Sequence, residues 1–168
     1  MIVQATIPLL VEHGEMVTTR QIADAAGIAE GTIFRVFADK DELIQAVMEA
    51  AFDPAPLDDA LREIDPDLAF EVALRTMVDL VQRRALEIWR LASSVGPRFH
   101  DTLRKNTIVS QPLVAFFKLH KAQLTISPPE AARLLRAMTI SLTHPSFVEE
   151  PMPPKRIVDL FLNGAGAR

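Results

Sequence analysis

The sequence predicts an all-α protein, a three-helix head followed by a longer helical body. Three observations carry this. Apolar residues recur at three- and four-residue spacing along most of the 168 residues. Tyrosine is absent, glycine is scarce and β-branched runs are short, so strand-forming composition is weak. The punctuation is sharp and sparse, at Gly14, Gly27, the stretch 53–59, Gly96-Pro97, Pro128-Pro129 and Gly164.

Composition bounds the rest. Half of the chain is hydrophobic, enough for a real core. With no cysteine, disulfides and thiolate chemistry are excluded, which fits a reducing compartment. No apolar run approaches the roughly 18 residues that cross a bilayer. The opening MIVQATIPLLVEHGE lacks a basic segment and a cleavage site, so no signal peptide is expected. The expected location is cytoplasmic, with no membrane partner.

Ile2, Val3, Ile7, Leu9, Leu10 and Val11 give the first helix an apolar face over 2–13. Gly14 stops it, and Pro8 is expected to bend it. Thr18 with Gln21 forms a capping-box pattern ahead of a short helix whose apolar face is Ile22, Ala23 and Ala26, ended by Gly27. A third helix follows from about 29 to 36. Asp39 then caps a fourth, with Glu42 as its box partner and Leu43, Ile44, Val47, Met48 and Ala51 as the buried stripe. DPAPLDD, 53–59, interrupts the pattern and sets the boundary between a head of residues 1–52 and a body of 53–168.

In the body, apolar positions 70, 74, 77, 78, 81, 85, 88, 89 and 92 define one helix within 67–95. Further helices are expected over 97–107, 112–124, 129–142 and 154–163, with a proline-rich connection from Thr143 to Pro154.

Two short helices joined at a glycine make a helix-turn-helix arrangement. Ala23 is the small residue that a steep crossing needs, and Gly27 suits a left-handed turn. Ile22, Ala26, Ile28, Ile33 and Val36 are expected to seal the pair. Thr32 and Arg35 lie off the sealed face, and Gly31 sits at the exposed start of the second helix.

The segment VTTRQIADAAGIAEGTIFRVFADKDELIQAVM resembles the DNA-binding head of the TetR family of transcriptional regulators. The resemblance covers roughly residues 2–50 and is only architectural beyond 55. It implies that the helix from Glu30 to Val36 enters the major groove. Thr19, Arg20, Glu30, Gly31, Thr32, Phe34 and Arg35 then stand at the DNA, and Lys40 meets a phosphate beside a helix N-terminus. At Phe34 the family usually has tyrosine; a phenyl ring offers a phosphate no hydroxyl, only van der Waals contact.

Charge opposes this reading. Residues 1–49 hold three basic residues (Arg20, Arg35, Lys40) and eight acidic ones, a balance of 3 − 8 = −5. DNA affinity rests largely on phosphate neutralisation. Related chains usually carry a basic arm before the first helix, and this sequence begins almost inside that helix.

The resemblance also implies a ligand cavity in the body and a two-fold pair of copies. Met77, Trp89, Phe99, Phe116 and Met138 are the candidate cavity lining, with Trp89 the best single wall. Such a lining favours a mostly apolar effector. His120 reads as a surface residue near a helix end. The last two helices present Leu134, Leu135, Met138, Leu142, Ile157 and Phe161 as the expected homodimer interface.

The four histidines have no metal-ligand spacing, and neither a G-x-S-x-G nor a phosphate-binding loop occurs. No enzyme activity, metal or cofactor is expected. The function expected is a DNA-binding transcriptional regulator, a repressor that binds a palindromic operator as a homodimer and is released by a small-molecule effector. The alternative is a helical small-molecule or protein-binding module whose head has lost DNA affinity.

Overall fold

The computed structural model describes residues 1–96 and 110–165. The expected helix over 97–107 and the candidate Phe99 lie outside them. Among the described residues, nine α-helices occur: α1 Ile2–His13, α2 Thr19–Ala26, α3 Glu30–Val36, α4 Lys40–Ala51, α5 Ala55–Arg62, α6 Phe70–Ser94, α7 Gln111–Leu119, α8 Pro128–Ser141 and α9 Pro154–Asn163. The all-α fold is thus what the apolar spacing dictates.

The described residues divide into two units, 1–53 with 87–96, and 54–86 with 110–165. In the first, Leu10 of α1, Ile22 and Ala23 of α2, Ile33 of α3 and Leu43, Ile44, Val47 and Met48 of α4 form one buried core. Leu91 and Ala92 of α6, with Val95, complete it. Full burial of one Ile or Leu contributes about 1.5–3 kcal/mol, so these few aliphatic side chains outweigh every polar contact in the head.

Local signals set the ends of the helices. The Gln21 N–H donates to Thr18 Oγ1 (3.2 Å) and the Thr18 N–H to Gln21 Oε1 (2.8 Å), closing the capping box. Gly27 is left-handed at φ 67°, ψ 35°. Asp39 caps α4 by accepting from the Glu42 N–H (2.8 Å). Glu42 returns its bond to the N–H of Ala38, one residue before the cap, so the expected box is shifted. Val36 is another correction. It is 60% exposed rather than sealed, because Ile33 occupies the inward position and Phe37 packs on the core one residue later.

The stretch 53–59, expected to be only a break, starts a helix. Pro54 caps α5 and Pro56 lies in its first turn, where a missing N–H removes no helical bond. In the second unit, Leu61, Leu74, Met77, Val78, Leu113, Phe117, Ala131, Leu135, Ile157 and Val158 share one core. Ser110, before α7, donates its hydroxyl to Asp58 Oδ1 (2.7 Å), tying α7 to α5. The buried amide of Gln82 donates to Thr143 Oγ1 (3.1 Å) and to the Met152 carbonyl (2.7 Å), pinning both ends of the connection 143–153 to α6. Helix α7 ends at Leu119, short of the expected 124; a 3-10 turn, Lys121–Gln123, follows.

Candidate functional site

The helix-turn-helix is built from α2, Gly27 and α3. With Ile33 turned into the core and 100° between successive residues, the outward row of α3 is Gly31 and Arg35. Glu30 and Phe34 flank that row on one side; Thr32 and Val36 flank it on the other. Arg35, Glu30 and Gly31 are exposed, Thr32 is half-buried, and Phe34 is 50% exposed. A Cβ added at Gly31 would meet open space.

Arg20 of α2 is exposed. Thr19 is half-buried, and its hydroxyl donates to Glu30 Oε1 at 2.5 Å, so two of the candidate residues bind each other across the turn. Lys40 is half-buried as well. Its ammonium donates to the carbonyls of Glu15 (2.5 Å) and Val17 (3.1 Å), closing the loop between α1 and α2 onto the start of α4. Of an ammonium's three donors, one is left over. Arg20 and Arg35 are therefore the exposed cations of this surface.

The second unit holds a groove of about 250 Å³, lined by Leu61, Ile64, Pro66, Met77, Pro112, Ala115, Phe116, Leu119 and His120, with Arg62 and Asp65 also on it. Of the expected lining, Met77 and Phe116 are there. Met138 is half-buried and packs against the core of that unit instead. Trp89 falls among residues 87–96 of the first unit and does not line this groove.

His120 corrects the expectation in the other direction. Its ring lies 4.5 Å from Phe116 and 5.0 Å from Phe70, and those two phenyl rings stack at 5.6 Å. The signal was present in the sequence, since Phe116 and His120 stand four apart on one helical face. Leu61 and Ile64 were missed because the helix that carries Leu61, and ends two residues before Ile64, begins in a proline-rich stretch.

The expected dimer residues also divide. Leu135 and Ile157 are enclosed in the core of their own unit. An apolar stripe wider than one contact face must fold partly inward, and these two are its inward edge. Leu134 is 44% exposed, and Met138, Leu142 and Phe161 are half-buried.

Among the described residues no cluster of histidine and carboxylate side chains is able to hold a metal ion, and no helix is long and apolar enough to cross a membrane.

Residues 2–47 match the family described as bacterial regulatory proteins, tetR family. No curated protein matches the chain. Solved structures do. The fatty acid degradation regulator FadR from Bacillus halodurans is 18% identical with a TM-score of 0.62, over 99% of this chain and 95% of that one. A TetR transcriptional regulator from Streptomyces coelicolor is 21% identical at 0.58, over 97% and 95%. A transcriptional regulator from Rhodococcus is 18% identical at 0.59, over 96% and 91%. At such identities these likenesses establish a shared fold. With the match over residues 2–47, they show a helical fold shared with these regulators and a head similar to that of bacterial regulatory proteins of the tetR family.

Proposed function

We propose that the protein is a homodimeric repressor that binds a palindromic operator through α2 and α3 and leaves it when a small, mostly apolar effector occupies the body. The observation that carries this reading is the outward row of α3, where Arg35 stands exposed opposite the buried Ile33. Thr19, Arg20, Glu30, Gly31, Thr32, Phe34 and Lys40 complete the proposed DNA surface. The apolar groove with Met77, Phe116 and His120 supports an effector of that chemistry. A second copy docks on α8 and α9 through Leu134, with Met138, Leu142 and Phe161 at the edges. The effector favours a state whose head spacing no longer matches successive major grooves.

One observation favours the rival reading, a binding module without DNA affinity. Lys40 spends two donors on backbone carbonyls in a head whose balance is −5.

Titration of DNA from beside the protein's own gene, repeated across salt concentrations, separates the two. The repressor reading expects affinity to fall as salt rises, by at most about 0.9 × 3 = 2.7 log units per log unit of salt for each protomer. A flat response supports the rival. Arg35→Ala is expected to weaken binding at least tenfold while sedimentation still shows a dimer; unchanged affinity would remove Arg35 from the surface.

A further inference from the structure

The two flanks of α3 differ from an ordinary phosphate-binding surface, because they are largely apolar. Phe34 is 50% and Val36 is 60% exposed, and Thr32 adds a methyl group on the same row as Val36. Arg35 is the sole cation of this helix, and Glu30 supplies an anion beside Phe34. Among the described residues of the first unit, none covers Phe34 or Val36 well enough to make either a core residue.

In the major groove the one apolar feature on a base edge is the 5-methyl group of thymine. An exposed phenyl ring or isopropyl group gains by covering it, and that gain does not depend on releasing counterions. The head needs such a source of affinity. Its exposed cations are few, so phosphate neutralisation contributes little. Arg35, between the flanks, suits a guanine through its bidentate edge.

We infer that Phe34 and Val36 determine specificity by contact with thymine methyl groups, so that each half-site carries thymines on both sides of the base pair read by Arg35. This rests on the proposed DNA-binding function and names the class of sequence it selects.

The test starts with DNA enriched by the wild-type protein from a randomised duplex pool. Each thymine of the enriched sequence is then replaced by uracil, which removes only the methyl group. Affinity is expected to fall about fourfold for each contacted methyl. Phe34→Ala and Val36→Ala, both at exposed positions, are each expected to abolish the sensitivity at the thymines they cover, leaving thymine and uracil DNA bound alike. Equal affinity of the wild-type protein for thymine and uracil DNA overturns this inference while leaving DNA binding intact. Sensitivity that persists undiminished in both variants overturns it too. If no sequence is enriched, the DNA-binding reading fails, and this one with it.

Discussion

The hydroxyl of Thr19 donates to the carboxylate of Glu30 at 2.5 Å, joining the first turn of α2 to the first residue of α3. Glu30 thus aligns the two helices and at the same time places a negative charge beside Phe34 on the surface proposed to face phosphates. Alignment and charge separate in Glu30→Gln, whose amide oxygen still accepts from Thr19. One charge–charge interaction at ~6 Å in a water-like medium amounts to about 0.7 kcal/mol. Glu30→Gln is therefore expected to raise operator affinity about threefold at low salt, with the gain shrinking toward physiological salt. A loss of affinity in fluorescence anisotropy would mean that the carboxylate itself reads a base, as an acceptor from cytosine.

Two glycines in the head differ in what surrounds them. Gly27 is left-handed with open space where a Cβ would go. Gly14, at φ 57° and ψ −146°, occupies backbone space close to glycine-only, and a Cβ there would lie 2.7 Å from the Ser94 carbonyl oxygen. Gly27→Ala is expected to lower stability by about 1 kcal/mol, and Gly14→Ala by about 3 kcal/mol, since strain and overlap with backbone add. Urea unfolding followed by circular dichroism checks the order; equal losses would show that α1 and the end of α6 are not held against each other in solution.

Glu130 caps α8. Its carboxyl is held below the usual carboxylate range first by the Ser127 hydroxyl, then by the Ser127 N–H (3.0 Å), with Arg133 adding a smaller attraction. A carboxyl depressed in the folded state favours folding above its unfolded pKa, and that contribution is lost as pH falls through the folded value. The melting temperature is therefore expected to fall more between pH 5 and pH 3 in the wild type than in Glu130→Gln. Parallel curves would mean that the cap acts without its charge.

The head was legible in the sequence because its determinants are local. The Thr18–Gln21 box, the left-handed Gly27, the Asp39 cap and the apolar stripes each act within a few residues, and the structure places all of them as the spacing requires. Val36 escaped this logic, because a seven-residue helix has too few turns to show which of two neighbouring positions faces the core. Helix α5 escaped it too, because prolines that stop a helix also start one.

The body was legible as helices and not as a site. Periodicity marks a residue as apolar-facing but is silent on which face it meets. It cannot tell Leu135, enclosed, from Leu134, exposed, or assign Trp89 and Phe116 to different units. The sequence alone determined that the chain is helical and where its head turns. Only tertiary packing decided which apolar residues became core, which line the groove, and that Lys40 folds back onto the carbonyls of Glu15 and Val17. Those outcomes depend on neighbours distant along the chain, whose positions no local pattern encodes.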